Sequence, residues 1–100
     1  MLGRLHVITD TRFGRDPRAG ACAALDAGAD VIQVRVKGWP DRDLLLLVEQ
    51  VQRRCADAGA TCVVNDRVDV ALATGAGVHL GAEDLPVAVA RRLLGPDAVV

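Results

Sequence analysis

Three polar side chains alternate with valines in the segment Val31 to Lys37, and their types suit the binding of an anion. Side chains of a strand point to opposite faces in turn, so Gln33, Arg35 and Lys37 are expected to share one face. Burying unpaired charge is costly, and a face with two cations therefore predicts a negatively charged partner. An arginine fork with a lysine point charge suits a phosphate or pyrophosphate.

Carboxylates and an amide follow the next two apolar runs. Asn65 and Asp66 close the run CVV, and Glu83 and Asp84 come shortly after VHL. We expect Asn65 to donate to a phosphate oxygen, and Asp66 and Asp84 to share one Mg²⁺, which prefers carboxylate and water oxygens. Ordinary helix capping is the alternative for these residues. For Arg35 and Lys37 the alternatives are an exposed face of an open sheet or a structural ion pair with Asp66 or Asp84.

The other reactive side chains show no catalytic pattern. His79 is expected to face the interior as a satisfied histidine, and His6 has the same ambiguity. Cys22, Cys55 and Cys62 are widely spaced and odd in number, which favours buried, reduced thiols in a cytosolic protein. Neither a Ser/His/Asp pairing nor a zinc spacing is evident.

The elements that would position these residues alternate between strand and helix. Proline and glycine mark the helix ends, most clearly Asp16-Pro17 at the start of the first helix. The expected strands are Leu5 to Thr9 (ending at Asp10), Val31 to Val36, Thr61 to Val64, Val78 to Leu80, and a fifth that begins at Ala98 to Val100. The expected helices begin at Pro17, at Asp41 or Asp43 as cap, at Val68 and at Pro86, and a polar loop from Thr11 to Arg15 contains Gly14. Arg91 and Arg92 are expected on a solvated helix face.

This alternation predicts an α/β fold in a single domain over residues 1–100. Four strand–helix units average about 25 residues each in this length, and eight such units make a (β/α)₈ TIM barrel of about 250 residues. The chain therefore predicts the N-terminal half of such a barrel, with strand five just beginning. A flavodoxin-like open sheet is the alternative, although no GxGxxG or Walker loop follows the first strand.

Composition is that of a soluble globular chain, with 51% hydrophobic and 25% charged residues. The net charge of −1 argues against a nucleic-acid or membrane-surface partner. No apolar run is long enough for a bilayer and no signal peptide is evident, so we expect a cytoplasmic protein that acts on small molecules.

Four segments, taken together, resemble a known family. LHVITD, GADVIQVRVK, CVVNDRVDVALA and GVHLGAEDLP are similar, in order and spacing, to the N-terminal half of the thiamine-phosphate synthases. The resemblance implies a TIM barrel that joins hydroxymethylpyrimidine pyrophosphate to thiazole phosphate with Mg²⁺, releasing pyrophosphate. By position, it implies that Gln33 contacts the aminopyrimidine, that Arg35, Lys37 and Asn65 hold the pyrophosphate, and that Asp66 and Asp84 bind Mg²⁺.

The chain departs from that pattern in several places. His6 replaces a tyrosine, Val36 an acidic residue and Ala82 a glutamine, and within TGAGV the connection GAGV is one residue shorter than the usual GADGV. The shorter connection predicts a shift in strand four that would misplace Asp84. The family's later serine loop and lysine strand have no counterpart in this half.

Two other functions remain open at this point. A thiazole tautomerase shares the fold and the phosphate handling but transfers protons. A truncated, non-catalytic half-barrel is the third possibility. Because half a barrel leaves two sheet edges exposed, we expect either self-association or a missing C-terminal half.

Overall fold

The computed structural model describes residues 5–9, 11 and 15–100 and contains four parallel strands, each followed along the chain by a helix. The strands pair in the order β1-β2-β3-β4. The strands are β1 (His6–Ile8), β2 (Val31–Val34), β3 (Thr61–Asn65) and β4 (Gly77–His79). The helices are α1 (Pro17–Asp26), α2 (Asp41–Ala58), α3 (Val68–Thr74) and α4 (Val87–Leu94). The predicted α/β half-barrel is thereby confirmed.

One face of the sheet packs under the helices. The apolar stripe expected along α2 is buried as predicted, and it meets the β2, β3 and β4 side chains of one parity. The α2 stripe consists of Leu44, Leu47, Val48, Val51 and Cys55, and the strand side of Ile32, Val34, Cys62, Val64 and Val78. This layer forms the core, in the way that parallel strands bury their helix-facing side chains.

The opposite face of the sheet is lined by the side chains of the other parity. The register aligns Ile8 with Gln33, Gln33 with Val63, and Val63 with Gly77 across the four strands. Asn65 pairs with His79 one layer further on. This inner face is buried at its centre but open at its rim, where Ile8 is 51% exposed.

The N-terminal caps of the helices agree with the sequence-based predictions only in part. The Asp16 carboxylate accepts from the Arg18 N–H at 3.0 Å, which confirms the predicted cap of α1. The caps predicted for Asp41 or Asp43 and for Asp84 are wrong, because prolines precede α2 and α4 and neither helix has a side-chain cap bond. Asp41 and Asp43 instead lie in the first turn of α2, where the helix dipole favours negative charge.

Each strand differs by one or two residues from its predicted bounds, since β1 is one residue shorter at each end and β3 extends one residue further, to Asn65. β2 ends at Val34 instead of Val36, and β4 begins at Gly77, one residue early. Residues 98–100 are not a strand, yet the Val99 carbonyl accepts from the Val78 N–H at 2.9 Å, so they begin to extend the sheet beyond β4. The expected strand end at Asp10 and the loop glycine at Gly14 lie outside the described residues.

Arg91 corrects the prediction of a solvated helix face. Its guanidinium donates to the carbonyls of Gly95 at 3.3 Å and Pro96 at 3.2 Å, and also to that of Ala98. Basic side chains near a helix C-terminus commonly satisfy the last carbonyls in this way. Here the bonds tie the end of α4 to the segment that holds Val99 against β4.

The cysteines are free, as predicted. Cys55 and Cys62 are buried in the core, whereas Cys22 is only half-buried. A hydrogen bond to Cys55 and burial both raise the pKa of the Cys62 thiol, which keeps it protonated. No helix among the described residues is long and apolar enough to cross a membrane.

Candidate active site

Gln33 lies on the inner face of the sheet, as the alternation predicted. The residue is buried, with only 3% of its surface exposed. The amide nitrogen lies 3.4 Å from Nε2 of His6 on the neighbouring strand, which is a long hydrogen bond. A buried carboxamide with one weak partner can exchange that partner for a ligand at modest cost.

Arg35 and Lys37 follow β2 instead of lying within it. The Arg35 N–H donates to the Thr9 hydroxyl at 3.0 Å, and the same hydroxyl lies 3.4 Å from the Arg35 carbonyl. Both cationic side chains are exposed, and within residues 5–9, 11 and 15–100 neither has an acidic partner. A structural ion pair with Asp66 or Asp84 is therefore excluded among the described residues.

Thr9 has a role that the sequence did not reveal. It is buried, and its N–H donates to the Gln33 carbonyl at 2.9 Å. Its hydroxyl accepts a hydrogen bond from the Arg35 N–H. The Thr9 hydroxyl thus takes the place of a backbone carbonyl on the neighbouring strand at the point where β2 ends. It fixes the backbone from which the Arg35 side chain extends.

The turn after β3 has an unusual backbone. Asp66 has φ +67, a left-handed conformation that aspartate tolerates better than most residues. Its N–H donates to the His79 carbonyl at 2.8 Å, which continues the β3–β4 pairing one residue past the strand. The conformation leaves Asn65 half-buried and Asp66 exposed at the carboxyl edge of the sheet.

Asp66 and Asp84 meet at that edge. Local desolvation first, and then the charge and hydrogen bond of the Asp84 carboxyl group, raise the pKa of Asp66 above its ordinary value. The Asp84 carboxylate also accepts from the Gly81 N–H at 2.7 Å, which anchors it in the turn after β4. Asp84 thus lies near enough to Asp66 to raise its pKa, and whether the shorter connection misplaces Asp84 relative to a bound metal stays a prediction.

The two histidines are less enclosed than expected. His79 and His6 both have inner-face parity, but both are exposed at the open rim of the sheet. His79 contributes its backbone carbonyl to the Asp66 turn. His6 contacts Gln33, so it touches the candidate site through that residue.

The donor set fits one octahedral Mg²⁺ better than a metal held by protein alone. Asp66 and Asp84 offer carboxylate oxygens, and in the described part of the chain no group of three His, Cys, Asp or Glu side chains is arranged to hold a metal ion. Magnesium is commonly bound by one or two carboxylates, with waters and substrate phosphates completing the shell. A divalent cation between two neighbouring carboxylates would offset their mutual repulsion.

Taken together, the fold and the polar side chains at the carboxyl edge of the sheet are typical of parallel α/β barrels. Parallel α/β barrels place ligands at the carboxyl ends of their strands, and here that edge carries cations after β2 and carboxylates after β3 and β4. The chain matches the thiamine monophosphate synthase family model over residues 5–100 and belongs to this family.

Individual relatives agree with the family model. The chain is 55% identical over 103 residues to the thiamine-phosphate synthase of Salinispora arenicola, a match over 99% of this chain and 50% of that protein. It is 50% identical over 99 residues to the enzyme of the same name from Methanoculleus marisnigri, over 96% of this chain and 47% of that protein. The structure of thiamine phosphate pyrophosphorylase from Pyrococcus furiosus superposes with a TM-score of 0.84 at 40% identity, over 90% of this chain and 45% of that one.

The chain spans about half the length of the relatives it matches. Four strands of an eight-stranded barrel are therefore present, and they are the strands that carry the edge described above.

Proposed function

We propose that the carboxyl edge of this sheet binds hydroxymethylpyrimidine pyrophosphate with Mg²⁺, as the N-terminal half of a thiamine-phosphate synthase site. One observation carries the proposal: two cations without described acidic partners lie one strand away from a pair of like-charged carboxylates. A pyrophosphate with a divalent cation satisfies both groups at once, because the cation joins the carboxylates to the anion.

The register supports binding of the pyrophosphate across β2 and β3. Val34 pairs with Val64, so Arg35 and Asn65 follow the last paired residues of adjacent strands. Neighbouring strands lie about 4.8 Å apart, and one pyrophosphate can contact both side chains. Lys37, two residues further on, supplies a second positive charge at the same edge.

Gln33 is the candidate reader of the pyrimidine. Its amide offers a donor and an acceptor side by side, which matches the ring nitrogen and amino group of an aminopyrimidine. The side chain is held on the inner face between Ile8 and Val63, where an aromatic ring can pack against apolar atoms. The names of the relatives favour this synthase reading over the tautomerase.

The proposed chemistry needs charge stabilisation and no protein nucleophile. The bond between the pyrimidine methylene carbon and the pyrophosphate oxygen breaks, and its electron pair leaves with the pyrophosphate. Arg35 and Lys37 stabilise the charge that develops there, and bound Mg²⁺ would supply further neutralisation of the leaving group. The thiazole nitrogen then provides the electron pair for the new carbon–nitrogen bond, in an orientation that the barrel imposes.

The inner face requires a cover for this reaction. Ile8, His6 and His79 are exposed in the described structure. An open site would leave the electron-deficient pyrimidine methylene carbon accessible to water. We propose that further strands, from a C-terminal half or a second copy, complete the barrel. Sedimentation of the 100-residue chain tests the second copy: a single monomeric species at high concentration would contradict it.

Calorimetric titration with hydroxymethylpyrimidine pyrophosphate tests the binding function directly. In Mg²⁺ we expect it to bind more tightly than inorganic pyrophosphate, and we expect Asp66→Asn to weaken binding by at least about tenfold. Asp57→Asn, which removes an exposed carboxylate from the end of α2, is the matched control and should not change the affinity. Equal affinity in Mg²⁺ and in chelator would overturn the proposal.

A further inference from the structure

Two backbone hydrogen bonds between residues two apart close the turn that contains Asn65 and Asp66. The Arg67 N–H donates to the Asn65 carbonyl at 2.7 Å, and the Val68 N–H donates to the Asp66 carbonyl at 2.9 Å. Both bonds span only two residues and sit next to the left-handed Asp66. Such a turn is strained for a residue other than glycine and persists where its surroundings fix it.

The Arg67 side chain is what connects this turn to its surroundings. Its Nε and NH2 donate to the two carboxylate oxygens of Asp69 at 3.1 and 2.9 Å, and NH1 donates to Asp41 at 3.0 Å. Asp69 lies in the first turn of α3, and Asp41 is the first residue of α2. One guanidinium therefore joins the turn to the starts of two helices that pack against the sheet.

The geometry requires arginine in particular. A planar guanidinium can engage one carboxylate with two parallel bonds and still donate to a second carboxylate. A lysine at the same place would keep the charge but could not reproduce the two-oxygen contact to Asp69 together with the contact to Asp41. Hydrogen bonding to both aspartates raises the already high pKa of Arg67, so its charge is permanent.

The ion pairs of Arg67 with Asp41 and Asp69 contribute little to the free energy of unfolding of the whole chain. The side chains of Asp41 and Asp69 are mostly exposed, and exposed ion pairs add little to the free energy of unfolding. Their effect is local, because they restrain the one turn that carries two of the proposed ligand groups.

We propose that Arg67 is a positioning residue that holds Asn65 and Asp66 in their binding geometry by anchoring the turn to α2 and α3. The role of the turn in binding rests on the proposed function, whereas the restraint of the turn itself does not. Neither the family pattern nor the alternation of strand two pointed to this residue. It acts through its neighbours and does not touch the ligand.

Amide hydrogen exchange measures the restraint without any ligand. In Arg67→Gln we expect the Asp66 and Val68 amides to exchange about tenfold faster, while the Val63 amide in the buried part of β3 keeps its rate. Arg92→Gln, on the exposed face of α4, is the matched control and should leave all three rates unchanged. Unchanged turn amides in Arg67→Gln would overturn the proposal, as would an equal increase at Val63, which would indicate global destabilisation.

Calorimetry with Mg²⁺ and inorganic pyrophosphate then measures the consequence for the site. We expect Arg67→Gln to raise the dissociation constant about tenfold, with incomplete recovery in Arg67→Lys and none of this loss in Arg92→Gln. Faster amide exchange in Arg67→Gln with an unchanged dissociation constant would overturn the positioning role. Wild-type affinity in Arg67→Lys would overturn it as well. If the wild type itself fails to bind, the proposed function is wrong, and the exchange rates still decide whether Arg67 restrains the turn.

Discussion

The electrostatic interaction between the Asp66 and Asp84 carboxyl groups predicts that Asp84→Asn stabilises the metal-free chain. Two unit charges about 4 Å apart in water repel by about 1 kcal/mol, and salt and solvent exposure reduce this. We therefore expect a gain of about 0.5–1 kcal/mol in the free energy of unfolding at pH 7. The bond from the Gly81 N–H is retained, because the asparagine carbonyl can accept it.

The pH dependence of that gain identifies its cause. The pKa of Asp66 is raised in the folded chain, so the folded state binds its proton more tightly than the unfolded state. The repulsion therefore grows as the pH rises through this pKa and is absent once the Asp66 carboxyl group is protonated. The advantage of Asp84→Asn should be present at pH 7 and absent near pH 3.

Urea unfolding at both pH values, with and without Mg²⁺, is the assay. A wild-type site at a tenfold excess of Mg²⁺ over its dissociation constant gains about 1.4 kcal/mol, and Asp84→Asn should lose most of this gain. Asp97→Asn, an exposed carboxylate in the turn after α4, is the matched control. If Asp84→Asn destabilises the chain equally at both pH values, the reasoning from carboxylate repulsion is refuted.

Two further substitutions test the supports of the edge. Gly77→Ala would place a Cβ 2.7 Å from the Val99 Cβ and 2.8 Å from its carbonyl oxygen, so we expect a loss of about 1–3 kcal/mol in urea unfolding and faster exchange of the Val78 amide; unchanged stability with a protected amide would contradict this contact. Thr9→Val removes the hydroxyl that accepts from the Arg35 N–H and should cost about 1–3 kcal/mol by the same assay, with Thr9→Ser near wild type; equal losses in both variants would instead indicate a packing effect.

The strands and the core were predictable because their signals are local. Alternation and glycine ends located all four strands to within two residues, and the α2 stripe is buried as its spacing predicted. The end of β2 was not predictable, since the alternation continues through Arg35 to Lys37. It ends at Val34 because the Thr9 hydroxyl, from a distant part of the chain, takes the Arg35 N–H.

The candidate site was only partly predictable for the same reason. The sequence pattern indicated Asp66 and Asp84, but their electrostatic interaction depends on the turns after two different strands. It predicted Asp41 as a helix cap, whereas the carboxylate accepts from Arg67, which lies 26 residues away. The Arg91 bonds do have a local signal in the sequence, because a basic residue in the last helical turn before glycine often bonds the free carbonyls.

The most direct test of a metal–pyrophosphate site at this edge is calorimetric titration of pyrophosphate into wild type and Arg35→Ala, with and without Mg²⁺. Arg53→Ala, an exposed arginine on α2, is the matched control. The wild type and the control should bind only with Mg²⁺, and Arg35→Ala should bind at least about tenfold more weakly, since a bond between charged groups contributes about 1.5–3 kcal/mol. Equal affinity in wild type and Arg35→Ala, or binding that does not depend on Mg²⁺, would contradict the site.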